Sequence, residues 1–231
     1  MNEGSVTAGS FFGRRKGKAL RPGQERAIRE VLPRLLVPAP EAPAALDPRT
    51  LFAHPIRAVR LEIGFGGGEH LLAAARAEPE IGFIGCEPFV NGMAKLLAIV
   101  EAENIQNIRV WSQDAAELIA GLAASSIERA YLLFPDPWPK RRQRKRRFLS
   151  DENLSALARV VAPRGALRFA TDIDDYAGWG LARVQRSQDW VWRPTGPGDW
   201  REPWPGWPGT RYEAKARREG REASYLTFMR R

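Results

Sequence analysis

From Ala58 onward the chain alternates short apolar runs with longer stretches whose apolar residues recur at helical spacing. Residues 59–63, 81–85, 108–111, 130–134 and 166–170 read as strands, with helices between them near 68–77, 90–103, 115–121, 150–162 and 174–188. In the second helix Val90, Met93, Ala94 and Leu97 fall at i, i+3, i+4 and i+7, which makes one face apolar. Asp151 and Asn153 stand where a helix start favours short polar side chains. Ser224-Tyr-Leu-Thr-Phe-Met229 alternates and predicts a last strand. Strand–helix alternation of this kind implies an α/β fold, a parallel sheet with helices on both faces.

Upstream of Ala58 the pattern changes. The first ten residues are small and polar and are expected to be loose. Arg21-Pro22 opens an amphipathic stretch ending near Leu32-Pro33, a short helix with proline in its first turn. Pro38, Pro40, Pro43, Pro48 and Pro55 predict an extended linker over 37–55 rather than a packed element. The expected organisation is a flexible basic arm (1–20), a short helix plus linker (21–55) and one domain (56–231). At 231 residues and 44% hydrophobic, the chain can bury one full core.

The net charge of +9 is concentrated. Seven of the eight side chains from Lys140 to Arg147 are cationic, as are four of the five from Arg14 to Lys18, so the remainder is close to neutral. That distribution suits a folded enzyme holding nucleic acid at a defined place; a solvated loop or a localisation tag is the plainer alternative. Cys86 stands alone, which excludes an internal disulfide and a thiolate cluster. His54 and His70 have no metal-ligand spacing and read as incidental, so no metal is expected. No run approaches the roughly 18 apolar residues of a membrane helix and the N-terminus lacks the apolar core of a signal peptide, so a cytoplasmic protein is expected.

In open parallel sheets ligands sit beyond the carboxyl ends of the strands. Five successive strands finish at or just before an acid: Glu62, Glu87, Asp114, Asp136 and Asp172. Any one could merely cap the next helix; together they would line a single crevice. Its floor is Gly64-Phe-Gly-Gly-Gly68, where glycine lets the backbone approach a ligand. A dinucleotide fingerprint needs glycine at position 69, which is Glu69, and Glu62 and Glu69 would repel a pyrophosphate. S-adenosylmethionine fits better: it is cationic, has no phosphate, and has a ribose diol for Glu87 to hold.

Several stretches resemble, in order, the signatures of the bacterial tRNA (guanine-N7)-methyltransferases. They are Leu61-Glu-Ile-Gly-Phe-Gly66, Gly85-Cys-Glu-Pro88, Phe134-Pro-Asp-Pro-Trp-Pro-Lys140, Lys145-Arg-Arg147, Ala170-Thr-Asp172 and Thr210-Arg-Tyr-Glu213. The likeness runs from about Phe11 to the end, apart from the linker and a tryptophan-rich loop near 193–208. It implies a Rossmann-like class I S-adenosylmethionine-dependent methyltransferase with a mostly parallel seven-stranded sheet, acting on guanine 46 of the tRNA variable loop. Residue by residue, it implies that Glu62, Gly64, Gly66, Glu87, Asp114 and Asp136 hold the donor, with Asp136 at the catalytic centre. Lys140, Asp172, Thr210, Arg211, Tyr212 and Glu213 would touch the substrate. Arg142, Gln143, Arg144, Lys145, Arg146 and Arg147 would meet the RNA. Gln143 and Arg144 stand where histidines are common in the family, and Tyr212 where phenylalanine is usual.

The residue types suit that reaction. Guanine N7 has an exposed lone pair and no proton, so its methylation needs no base, only positioning and desolvation. Asp136 or Asp172 can accept hydrogen bonds from guanine N1–H and its exocyclic amine. Trp200, Trp204 and Trp207 are expected to pack as a lid rather than stack on a base. An exocyclic-amine methyltransferase of RNA or DNA and a non-catalytic RNA-binding protein on the same scaffold remain open, as do monomer and homodimer. A nicotinamide oxidoreductase ranks last.

Overall fold

The computed structural model describes Gly13 and residues 15–231; the first ten residues, expected to be loose, lie outside the described residues. The elements in chain order are α1 (Pro22–Glu30), α2 (Leu32–Leu35), a 3₁₀ turn (Pro48–Leu51), β1 (Ala58–Ile63), α3 (Glu69–Ala77), β2 (Ile81–Cys86), α4 (Val90–Ala102), β3 (Ile108–Trp111) and α5 (Ala115–Gly121). They continue with β4 (Ile127–Leu133), a second 3₁₀ turn (Arg141–Arg146), α6 (Asp151–Val160), β5 (Val161–Thr171), α7 (Asp174–Arg186), β6 (Trp190–Val191), α8 (Gly198–Arg201), α9 (Arg211–Arg218) and β7 (Ser224–Arg230). The strands form one sheet in the order β3-β2-β1-β4-β5-β7-β6. β1 to β5 run parallel, and β7 lies antiparallel to both β5 and β6. Strand order reverses between β1 and β4, which is where such sheets open a crevice.

Alternation along the strands divides the core. On one face Val59, Leu61, Ala130, Leu132, Leu167 and Phe169 pack under α5, α6 and α7 through Leu118, Leu157 and Tyr176. On the other, Ile81, Phe83, Ile108 and Val110 meet Leu71 and Leu72 of α3, Met93 and Leu97 of α4, and Ala27 of α1. Over β4, β5 and β7 that second face is roofed by a loop: Trp204, with Trp207 beside it, packs on Tyr131, Leu133, Ala170 and Tyr225. Trp204 Nε1–H donates to Thr227 Oγ1 at 2.9 Å. These tryptophans therefore pack as a lid. Among the described residues no helix is long and apolar enough to cross a membrane.

Two expectations need correction. The proline-rich segment is extended but not free of the domain. Val37 N–H donates to Val110 O (2.9 Å), Leu46 N–H to Gly121 O (3.0 Å), and Val37 and Phe52 are buried, because apolar residues alternate with the prolines. The described part of the basic arm is docked as well: Gly17 N–H donates to Asn91 Oδ1 and Asn91 Nδ2–H to Lys18 O, both at 2.7 Å, beside the start of α4. Short β6 and α9 were not legible as elements, being only two and eight residues long.

Candidate active site at the carboxyl ends of the strands

Gly64 (φ +73°) and Gly66 (φ +57°) take left-handed backbone after β1, which a side chain would strain. The loop they shape is bound to β2. Gly64 N–H donates to Cys86 O at 2.8 Å, and Gly66 N–H donates to Glu87 Oε2 at 2.7 Å. The other Glu87 oxygen accepts from Phe89 N–H at 2.9 Å. A Cβ on Gly92 would lie 2.2 Å from Gly66 O, so α4 begins against the loop only because position 92 has no side chain.

Glu62 and Glu87 are buried. Glu62 Oε2 lies 2.6 Å from His70 Nδ1, and the His70 ring packs against Tyr131 (4.6 Å between centroids) and Trp207 (5.3 Å). His70, read as incidental, thus stands directly behind a crevice acid. Burial raises the Glu87 carboxyl above the usual carboxylate range; the two amide donors pull it back and the nearby Asp136 carboxylate adds to the rise. Burial also raises Asp136, although the residue keeps solvent exposure. Tyr212 feels Glu87, Asp136 and Glu69 together. Glu62, Glu87 and Asp136 therefore gather around one glycine loop, and an acidic rim with two buried members favours a cation.

The remaining expected donor residue behaves differently. Asp114 Oδ1 accepts from Ala116 N–H at 2.9 Å, capping α5, while its charge acts on Cys86 at the end of β2. It lies beside the crevice in a capping role.

Asp136 is held by a strained loop. Phe134 (φ +49°) and Trp138 (φ +42°) flank it in left-handed conformations that bulky side chains seldom adopt. Arg147 fastens this loop. Its Nε–H donates to Pro137 O at 2.8 Å, Nη1–H to Asp175 O at 3.2 Å, and Nη2–H to the Asp175 carboxylate. Its guanidinium lies 4.8 Å from the Tyr176 ring and 5.1 Å from Trp179. At 2% exposure Arg147 has no room for an RNA phosphate, so its expected RNA contact is corrected to a structural clamp. Arg144 Nη2–H donates to Asp175 Oδ1 at 2.7 Å, and the Arg146 guanidinium lies 4.9 Å over Trp138. Gln143 is half-buried, whereas Lys140, Arg141, Arg142 and Lys145 face solvent. A cavity of about 570 Å³ opens beside this basic turn, lined by Arg141, Arg144 and Lys145 with Trp179 and Arg183 of α7.

The late motif splits in two. Thr210 Oγ1 accepts from Glu213 N–H at 3.1 Å and caps α9. Glu213 is buried, and its carboxylate accepts from Trp207 Nε1–H (2.6 Å), Tyr225 O–H (2.8 Å) and Arg217. Its expected substrate contact is therefore corrected: Glu213 ties α9 to the tryptophan lid. Arg211 and Tyr212 are the residues that reach the crevice. A Cβ on Gly66 would be 3.1 Å from the Tyr212 ring, one on Gly67 would be 2.1 Å from Arg211 Nη2, and Arg211 Nε lies 3.5 Å from Glu69. Asp172 Oδ2 accepts from Arg221 Nε–H at 2.7 Å, a partner the sequence did not signal. Among the described residues no group of three or more His, Cys, Asp or Glu could hold a metal ion.

Comparison with known proteins gives a consistent result. A family model described as "Putative methyltransferase" matches residues 57–226. The tRNA (guanine-N(7)-)-methyltransferase of Nitrobacter hamburgensis is 53% identical over 222 residues, covering 96% of this chain and 87% of that protein. That of Chelativorans sp. is also 53% identical over 222 residues, covering 96% and 95%. Among solved structures, the 16S rRNA methyltransferase KamB superposes with a TM-score of 0.55 at 18% identity, covering 76% of this chain and 88% of its own. At that identity the likeness is one of fold.

Proposed function

Because the chain belongs to the tRNA (guanine-N7-)-methyltransferase family, we propose that it moves the methyl group of S-adenosylmethionine to N7 of guanine 46 in the tRNA variable loop. The observation that carries this reading is the gathering of Glu62, Glu87 and Asp136 around the glycine loop. A sulfonium nucleotide without phosphate fits that charge. When bound it supplies a methyl group open to in-line displacement by the N7 lone pair, the C–S electrons remaining on sulfur.

The chain's own residues then position and desolvate. Glu62 and Glu87 keep free lone pairs for the donor's ammonium and ribose hydroxyls. Asp136 accepts from the guanine edge and stabilises the positive charge the base acquires. Lys140, at the start of the second 3₁₀ turn, and Asp172, just past β5, flank the base. Arg211 and Tyr212, which lie over the glycine loop, border the donor site. The experiment is direct: unmodified tRNA incubated with donor, then treated with borohydride and aniline, is cleaved at position 46. An intact chain carrying methyl label refutes the N7 assignment.

The solvent-facing part of the basic turn meets RNA phosphates. Arg141→Ala/Arg142→Ala/Lys145→Ala lowers the slope of log affinity against log salt by roughly 2, at about 0.7 per contact on single-stranded RNA, with donor affinity unchanged. Filter binding across salt concentrations checks this; an unaltered slope counts against the grip.

His70 positions Glu62. His70→Phe raises the donor KM about tenfold or more with a smaller change in kcat, since a hydrogen bond to a charged partner contributes about 1.5–3 kcal/mol. His70→Asn, whose amide N–H can replace Nδ1–H, restores most of the donor affinity. Equal KM in both variants argues that the ring acts by packing alone.

A further inference from the structure

On the sheet face that carries Glu62, a row of arginines crosses the strands. Strand register sets Arg60 beside Arg129 and Tyr131 beside Arg168, so Arg129 and Arg168 are diagonal neighbours, about 7–8 Å apart at the backbone. The nearby acids are already taken. Buried Arg60 holds Glu78 at 2.5 and 3.0 Å and Glu128 at 2.6 Å, while Arg57 reaches Glu128 at 3.4 Å and Glu80 at 3.7 Å. Arg129 is left with the Tyr131 hydroxyl at 3.3 Å. Arg168 shares the Tyr131 hydroxyl and lies 5.1 Å over the Trp204 ring, while its Nε is buried with no hydrogen-bond partner. Among the described residues neither Arg129 nor Arg168 has a carboxylate partner. Burial, with Arg129 adjacent, pushes Arg168 down to about 10.

Glu78 feels Arg129 only at a distance and is already committed to Arg60, so two neighbouring, partly desolvated guanidiniums still favour a further anion between them. We infer that Arg129 and Arg168 form a phosphate seat on this face, filled by a backbone phosphate of the RNA substrate. Both side chains are half-buried and keep a path to solvent. Paired guanidinium forks match phosphate oxygens in geometry as well as charge. A second copy of the chain is a poor occupant, because the same surplus cations would face each other. The seat adjoins the lid: Trp204 packs on Trp207 at 5.6 Å, and Trp207 on His70 at 5.3 Å. A phosphate there presses on the roof above Glu62.

The RNA assignment rests on the proposed function, whereas the anion seat itself does not, and the test separates them. Full-length wild type, Arg129→Gln, Arg168→Gln and the double variant are titrated with tRNA across salt, and their melting is followed with and without inorganic phosphate. Arg168→Lys controls for packing on Trp204. Each Gln variant is expected to lower the salt slope by about 0.7–0.9 and to weaken tRNA binding three- to tenfold, with donor affinity unchanged. Arg168→Lys keeps most of the slope, and phosphate raises Tm in the wild type but not in the double variant. An unaltered slope with phosphate stabilisation lost overturns RNA occupancy and leaves a seat for a small phosphate. If slope and phosphate response are both unaltered in folded variants, there is no seat. Wild type that binds no tRNA fails the proposed function, and the phosphate arm still decides the seat.

Discussion

Asp136→Asn lowers turnover about 10²–10³-fold while donor affinity stays within a few-fold. The substitution keeps the shape of the side chain and one acceptor oxygen, and removes the charge. That charge matters most when guanine N7 has gained its methyl group and the base has become cationic. Donor affinity survives because Glu62 and Glu87 remain, the first against His70 and the second on the amides of Gly66 and Phe89. The loop that presents Asp136 stays in place, since Arg147 grips the Pro137 carbonyl rather than the carboxylate. Single-turnover kinetics beside calorimetric donor titration checks the split. Matched losses in both would assign Asp136 to donor anchoring alone.

Arg147→Ala destabilises the fold by about 2–4 kcal/mol, a fall in Tm of about 5–15 °C, and reduces turnover, yet leaves the salt slope of tRNA binding unchanged. Removing the guanidinium opens a void between Tyr176 and Trp179 and frees Pro137 O. Asp175 is not stranded by the change, because its side chain is 46% exposed and can be hydrated. The loss is therefore one of packing and of loop restraint. Once released, Phe134 and Trp138 relax from their left-handed conformations and Asp136 loses its fixed position. Thermal melts, kinetics and RNA titration on one variant test all three statements. A lower salt slope at unchanged Tm would return Arg147 to the RNA grip.

Arg147 also marks the limit of what could be read without coordinates. The run from Lys140 to Arg147 is uniformly cationic in composition, yet its last member turns inward, and the Phe148-Leu149 that follows was the available signal that the chain re-enters the core there. The parallel sheet was legible because short apolar runs and stretches of helical period alternate cleanly from β1 to α7. Acids at the strand ends were legible from strand placement, and three of them meet at the glycine loop. Their partners were not. His70 reaches Glu62 from the first turn of α3, Arg221 reaches Asp172 from 49 positions away, and Trp207 reaches Glu213 across a turn; no local pattern encodes such pairings. The linker misled because proline density signals an extended backbone and says nothing about whether that backbone packs.

Delivery of methyl to a ring nitrogen that needs no base is the chemistry assigned to this crevice. It is tested most directly by offering two tRNA transcripts, one with guanine and one with 7-deazaguanine at position 46, with isotopically labelled S-adenosylmethionine, then digesting both to nucleosides. Labelled 7-methylguanosine is expected from the first transcript and no label at position 46 of the second. Label on the exocyclic amine of either transcript, or no transfer to the first, would contradict it.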